Sequence, residues 1–223
     1  MSGKAKITVK PKAEPKKKAI PKKSGSSKNP FKDIAKSALR FLAETGGYIK
    51  NDRIHIDLPP DLKEWAERLR MIGLGKQVDE MIEEMNKAAG KAVDKAADHF
   101  IDAMSGISLD EVGSMLFGGE DAVTKYLEKK TRKKMSKEFA PIIKDSMEEV
   151  GITRLFKKLL DAYNSIPLVP KIKFDLPMYV NNRALDGMYY ILAREEIKVR
   201  RDPLGAAGKF LTNLLSPGSK SGG

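Results

Sequence analysis

The sequence of 223 residues contains no cysteine, one tryptophan and two histidines. Without cysteine the chain has no disulfide scaffold, no zinc–thiolate or iron–sulfur site and no cysteine nucleophile. No apolar run approaches the roughly 18 residues that a membrane-spanning helix needs. The first residues, MSGKAKITVK, also lack the apolar stretch of a secretory signal. These absences favour an intracellular protein and exclude several classes of catalytic and metal site.

Positive charge is abundant and unevenly distributed. The chain has 42 Lys plus Arg against 30 Asp plus Glu, a formal net charge of +12. Residues 1–30 hold ten lysines and one acid and carry +9, whereas the other 193 residues carry +3. This first segment is interrupted by proline, serine and glycine and has few large apolar residues to offset the entropy of ordering it. We therefore predict a disordered polybasic tail over residues 1–30.

The tail has a composition suited to loose contact with negative charge. A flexible chain of this length reaches about 30 Å, and lysine without arginine favours solvated phosphate contacts over base reading. We expect non-specific binding of a polyanion such as nucleic acid, an anionic membrane surface or an acidic protein. A solubilising extension without a partner is the alternative. The lysines concerned are Lys4, Lys6, Lys10, Lys12, Lys16, Lys17, Lys18, Lys22, Lys23 and Lys28.

Apolar residues recur at helical spacing through the rest of the chain, with glycine and proline at the joints. Pro141 is expected to divide one periodic stretch into two helices, and Gly90 is a candidate bend or break in another. The stretches predicted as helices are 31–44, 61–72, 76–104, 108–117, 120–150, 153–165, 175–201 and 204–215.

The segment near 48–58 alternates in hydrophobicity and is stopped by Pro59-Pro60, so we predict a short extended segment there. The fold class predicted is therefore all-α. A single multi-helix domain covers residues 31–215, after the disordered tail and before a flexible C-terminus at 216–223.

The first predicted helix is amphipathic and cationic. One face carries Phe31, Ile34, Ala35, Ala38, Phe41 and Leu42. Behind a basic tail, such a helix can lie on a membrane surface. More often it covers a hydrophobic core, and we favour that interpretation.

A second concentration of positive charge lies within the predicted domain. Helical spacing places Lys125, Lys129 and Lys133 along one stripe, with further cations beside it. This cluster either extends the anion-binding surface of the tail onto the domain or forms an ordinary charged solvent face. Its members are Lys125, Lys129, Lys130, Arg132, Lys133, Lys134 and Lys137.

Other polar groups are weaker candidates for chemistry. The acids at 79–84 and the stripe Asp94, Asp98 and Asp102 lack the paired Glu-x-x-His motifs of a di-metal bundle, so a salt-bridged face is favoured. Gly118-Gly119-Glu120-Asp121 resembles the signature of cyclic-dinucleotide synthases, yet it precedes a helical pattern and predicts a turn with an acidic first helical turn. We expect Arg183 and Asp186 to form a structural brace. No catalytic residue, metal ligand or cofactor is predicted, and we expect no enzymatic activity.

Four segments resemble a bacterial family of unknown function, the domain-of-unknown-function 4197 family. The match is specific through the order and combination of the segments over roughly residues 40–205. The segments are Tyr48 to Leu74; Met85 to Ala89; Gly118 to Tyr126 with Thr131, Phe139-Ala140-Pro141 and Val150-Gly151; and Ala184 to Gly187 with Glu195-Glu196 and Arg201-Asp202-Pro203.

The resemblance implies an all-helical domain and supplies no activity. Members of the family commonly begin with an export signal, so a periplasmic location is the alternative to the cytoplasmic one that the lysine-rich start favours. We favour a non-enzymatic helical domain whose polybasic tail binds a polyanion, above all nucleic acid, without specificity. The alternatives are a peripheral membrane or envelope module that uses residues 31–42 and a domain that binds or converts a small molecule. The last would need a polar pocket beside Asn86, Thr124 or Asp186.

Overall fold

The computed structural model describes residues 30–44, 46–105 and 118–202. Within these ranges it contains six α-helices, one 3-10 turn and no strand, which confirms the all-α prediction. The predicted tail up to residue 29, the helices predicted at 108–117 and 204–215 and the predicted end at 216–223 lie outside the described residues. The elements are α1 (Pro30–Ala43), a 3-10 turn (Pro60–Leu62), α2 (Lys63–Met71), α3 (Gly75–Ser105), α4 (Ala122–Glu149), α5 (Ile152–Asn164) and α6 (Leu176–Arg201).

Helix α3 is the centre of the fold, since each of the other five helices packs against it. Its buried side is rich in alanine, which lets neighbouring backbones approach closely. Gly90 serves the same purpose, because a Cβ there would lie 3.4 Å from the carbonyl oxygen of Leu42 in α1. α3 runs through Gly90 without a break. The alanines, each at most 1% exposed, are Ala88, Ala89, Ala92 and Ala96.

Helix α4 runs unbroken through Pro141, so the predicted division of this stretch is wrong. A proline in a helix interior removes a hydrogen bond and costs about 3 kcal/mol. Each buried Met, Phe or Ile side chain contributes about 1.5–3 kcal/mol in return. The proline ring itself is exposed. Packing on both sides of Pro141 therefore outweighs its cost, through the buried stripe Met135, Phe139, Ile143 and Met147.

A left-handed glycine joins α4 to α5. Gly151 has a φ of 81°, which other residues adopt only at a cost of about 1 kcal/mol. Its N–H donates to the carbonyl of Glu148 at 3.1 Å, which closes the end of α4. The turn brings α5 onto α2, where the rings of Trp65 and Phe156 lie 5.9 Å apart between centroids.

The segment near 48–58 contains no α-helix, but it forms turns up to Ile54 and only the stretch at 55–59 is open, so the predicted extended segment is limited to its second half. Asn86 of α3 holds this stretch: its Oδ1 accepts from the N–H of Ile56 at 2.8 Å, and its Nδ2 donates to the carbonyl of Ile56 at 2.9 Å. The Tyr48 hydroxyl donates to the carbonyl of Ala184 in α6 at 2.7 Å. The segment is thereby fixed between α3 and α6.

Helix α1 covers the core, as favoured from its sequence. Ile34, Ala35, Ala38 and Leu42 of its apolar face are at most 9% exposed. Phe41, which was predicted on the same face, lies at its edge and is 44% exposed. In the three ranges that the structure describes, no helix is both long and apolar enough to cross a membrane.

Candidate anion-binding groove between α4 and α6

Helix α4 carries all seven cations of the predicted anion-binding cluster, and four of them already have partners. The three carboxylate partners partly offset the charge of their cations, whereas the Tyr126 ring holds the Lys130 ammonium without neutralising it. The contacts are the ion pairs Lys125–Asp121 (3.0 Å), Lys134–Glu138 (3.7 Å) and Arg132–Glu128 (2.6 Å), and the ammonium of Lys130 at 5.3 Å from the centroid of the Tyr126 ring.

The other three cations, Lys129, Lys133 and Lys137, form what we call the lysine row. They are exposed, and among the described residues none of them has a carboxylate partner. They follow one another at four-residue spacing, so the row extends about 12 Å along α4. An anion that binds the row displaces no existing ion pair.

A groove with a volume of about 510 Å³ lies along the lysine row where α4 faces α6. The groove is shallow and open to solvent. The row supplies three of the four cations that line the groove, and uncharged polar groups come from both helices. Besides the lysine row, the lining side chains are Glu128, Arg132 and Ser136 of α4 and Asn182 of α6.

Arg132 is held in the groove by carboxylates from both helices. Its guanidinium donates to Glu128 at 2.6 Å and to Asp186, and Asp186 also accepts from Arg183 at 3.2 Å. Partial burial lowers the pKa of Arg132, but hydrogen bonds to Asp186 and Glu128 outweigh this effect and raise it. The predicted brace between Arg183 and Asp186 is confirmed, with Arg132 as its third member. Arg132 therefore shapes the groove more than it adds free charge.

Buried polar side chains fix α6 against α4 beside the groove. Asn181 donates to the carbonyl and hydroxyl oxygens of Ser136 at 3.2 and 3.0 Å. The Tyr189 hydroxyl lies 2.9 Å from Oγ1 of Thr131, and burial raises the pKa of Tyr189 to about 12. Sequence reasoning missed these contacts because a polar residue on a buried helix face does not reveal its partner.

A buried carboxylate caps the first turn of α4. Glu196 of α6 is 2% exposed and accepts from the N–H groups of Val123 and Thr124 at 3.1 and 2.8 Å and from the Thr124 hydroxyl at 2.7 Å. Arg200 completes its ion pair at 2.8 Å. The negative charge lies at the positive end of the helix dipole. The N-terminus of α4 is thus held by α6.

The acids that precede α4 do not cap it, which corrects one sequence prediction. Glu120 lies before the helix and receives two hydrogen bonds from Arg201, both at 2.9 Å. Asp121 makes no cap bond to the backbone of α4. The predicted turn is present, since the carbonyl of Gly119 accepts from the N–H of Ala122. Only the predicted acidic first helical turn is wrong, because the carboxylate at the N-terminus of α4 comes from Glu196 of α6.

The remaining candidates take part in structural contacts. Lys87 binds Glu83 and Glu84 at 2.9 and 2.7 Å, and Lys95 binds Glu149 of α4 at 2.5 Å. Asp94, Asp98 and Asp102 are exposed on α3. In the part of the chain that the structure describes, no three His, Asp or Glu side chains are grouped so that they could hold a metal ion.

Comparison with known families settles the resemblance. The family model described as "Protein of unknown function (DUF4197)" matches residues 26–215, well over half of the chain. The chain belongs to the DUF4197 family. No curated protein and no solved structure matches it.

The four DUF4197 segments contact one another in the fold. Asn86 of the second segment binds Ile56 of the first, and Glu196 of the fourth caps α4 beside the third. Tyr48 of the first packs on Gly187 of the fourth, where a Cβ would lie 2.6 Å from its ring. The residues that carry the DUF4197 resemblance thus hold the helices together. The lysine row lies outside them, so its charge needs a separate explanation.

Proposed function

We propose that this DUF4197 protein is a non-enzymatic helical binding domain that binds a polyanion, above all nucleic acid, without sequence specificity. The observation that carries the proposal is the lysine row on α4. Lys129, Lys133 and Lys137 are exposed, lack carboxylate partners among the described residues and line one groove.

The chemistry of the row suits phosphate backbones. Each phosphate that a lysine neutralises releases condensed counterions, which provides affinity independent of base sequence. A lysine ammonium is a mobile point charge and does not impose the bidentate geometry through which arginine reads guanine. The groove is therefore suited to positioning a backbone.

The basic tail adds to the same function. Residues 1–30 carry a formal charge of +9 from ten lysines and one acid. Contacts from the tail add to those of the lysine row, and together they give a strong dependence on salt.

A linear anion suits the groove better than a flat membrane. The lysine row follows the axis of α4 for about 12 Å, with the side of α6 opposite. The membrane hypothesis relied on the apolar face of α1, whose residues Ile34, Ala35, Ala38 and Leu42 pack in the core. Nucleic acid is therefore the polyanion that we propose.

Charge-neutralising variants test the proposal. The row variant replaces Lys129, Lys133 and Lys137 with Gln, and the control variant replaces Lys63, Lys76 and Lys158, which are equally exposed and lie on other helices. Both variants have the same net charge. Fluorescence anisotropy with a labelled oligonucleotide should show affinity reduced roughly 10- to 100-fold by the row variant and far less by the control.

Deletion of residues 4–28 tests the tail in the same assay. We expect it to weaken binding in the wild type and in the row variant alike, because the two sites contribute separate phosphate contacts. Binding that the row variant leaves unchanged would refute the proposal, whatever the deletion does. Binding to anionic vesicles without binding to oligonucleotides would support the membrane hypothesis instead.

A further inference from the structure

Hydrogen bonds between α4 and α6 show which residues of the two helices lie side by side next to the groove. Residue numbers rise along α4 as they fall along α6, so the helices are antiparallel. Tyr190 follows Tyr189, whose hydroxyl meets Thr131, and one residue advances a helix by only about 1.5 Å. Tyr190 therefore lies level with the stretch between Lys129 and Lys133. The pairs are Thr124–Glu196, Thr131–Tyr189, Arg132–Asp186 and Ser136–Asn181.

The Tyr190 side chain differs from the other tyrosines whose contacts the structure describes. It is 37% exposed, and within the described residues it makes no hydrogen bond and no ring contact. Tyr48, Tyr163 and Tyr189 are buried, and Tyr179 donates to the carbonyl of Asp57. The ring is therefore partly open to solvent and is not held by a polar partner among the described residues.

Asp186 and Arg194 flank Tyr190 on the same side of α6. Asp186 lies one turn before Tyr190 and holds Arg132 of the groove. Arg194 lies one turn after it, is exposed and has no carboxylate partner among the described residues. Tyr190 thus lies one turn from the side chain that joins α6 to the groove and one turn from an exposed cation of α6.

We propose that Tyr190 is a stacking platform for an unpaired base, and that the groove therefore prefers single-stranded to duplex nucleic acid. The inference rests on the proposed function, since the lysine row must hold the backbone for a base to reach the ring. Base stacking on an aromatic side chain is a common source of affinity for single strands. In a duplex the bases are stacked on one another and paired, so they cannot use the ring.

The experiment compares a labelled single strand of about 12 nucleotides with a duplex of the same length, using full-length protein. The proteins are the wild type, Tyr190→Ala, Tyr190→Phe and the row variant. Tyr190→Ala should weaken single-strand binding about 10-fold and leave duplex binding unchanged. Tyr190→Phe keeps the ring and should bind as the wild type does. Because the ring contacts no phosphate, Tyr190→Ala should also leave the salt dependence unchanged.

The outcomes separate this inference from the proposed function. If Tyr190→Ala binds both oligonucleotides like the wild type, or weakens both equally, stacking on Tyr190 is wrong. The proposed function then still holds, provided that the row variant loses affinity. If the row variant binds like the wild type, the groove is not the binding site and both proposals fall. Thermal melting of each variant, expected to match the wild type at these exposed positions, excludes unfolding as the cause.

Discussion

Gly187 leaves room for the ring of Tyr48, and this pair shows how single residues set the packing of the core. A Cβ at position 187 would lie 2.6 Å from Cε1 of Tyr48, whose hydroxyl is fixed to the carbonyl of Ala184. The ring cannot move away without breaking that buried hydrogen bond. The glycine is needed here because the backbone and the ring approach so closely.

We predict that Gly187→Ala lowers the free energy of unfolding by about 1–3 kcal/mol. The overpacking should exceed the gain in helix propensity, which is at most about 1 kcal/mol. Urea unfolding measures the change. Gly75→Ala is the control, because its Cβ would meet only Arg70 side-chain atoms, at 3.5 Å or more. A Gly187→Ala protein as stable as the wild type would show that the ring has room to move.

A second prediction at the residue scale concerns the pKa of the Tyr189 hydroxyl. Burial raises its pKa from 10.0 to about 12, so the folded protein holds this proton more tightly than the unfolded chain does. The resulting stability is complete below pH 10 and is lost as the pH rises towards 12. The Tyr189→Phe variant should not show this loss. Near the upper end of this pH range, the free energy of unfolding of the wild type should therefore have fallen by about 2 kcal/mol more than that of the variant.

Unfolding midpoints of the wild type and Tyr189→Phe measured from neutral pH up to about pH 11 test this prediction. The wild type should lose stability more steeply above pH 10. Tyr48 is also buried, and burial raises its pKa too, so part of the alkaline loss should remain in the variant. If the unfolding midpoints of the two proteins fall in parallel as the pH rises, the alkaline loss of stability does not come from Tyr189.

At the scale of elements, α4 depends on a carboxylate from α6. Glu196→Ala removes the acceptor for two backbone N–H groups and leaves Arg200 without this partner. Breaking a buried ion pair in this way costs about 3–5 kcal/mol. Glu195→Ala, which disrupts only the more exposed pair with Lys198, should cost less than about 1 kcal/mol. Equal thermal shifts for the two variants would mean that the cap contributes little.

Replacement of Pro141 should raise the stability of the protein, whereas replacement of Glu196 should lower it. Pro141 lies inside the continuous α4 and its ring is exposed. Pro141→Ala restores a backbone hydrogen bond without disturbing a buried side chain. We therefore expect it to stabilise the protein, by up to about 3 kcal/mol. Calorimetry should show a higher Tm, and a lower Tm would indicate that the proline has a packing role.

Elements that depend on local pattern were predictable, and those that depend on distant partners were not. The period of apolar residues located α3 to within one residue at each end, because burial of one face is repeated along the whole helix. The local rule for Pro141 failed because the buried stripe on both sides belongs to tertiary packing. The cap by Glu196 could not be seen, since its partners lie more than 70 residues earlier.

In the whole molecule, positive charge is concentrated in two places, the tail of residues 1–30 and the cluster on α4. The tail's +9 is evident from the sequence, and so is the cluster on α4. The sequence could not show which cations are paired, because Asp186 reaches Arg132 from another helix. It also could not show that Asn182 of α6 lines the same groove as the cluster. Because four of the seven cations on α4 have partners in the structure, our proposal uses the three of the lysine row.

The central claim is that the lysine row contacts phosphates, and the salt dependence of binding tests it most directly. The measurement is the slope of log K against log salt for a single-stranded oligonucleotide, with the wild type, the row variant and the control variant. Three lost phosphate contacts should make the slope of the row variant shallower by about 2. The control variant should keep the slope of the wild type. A row variant with an unchanged slope would contradict the account.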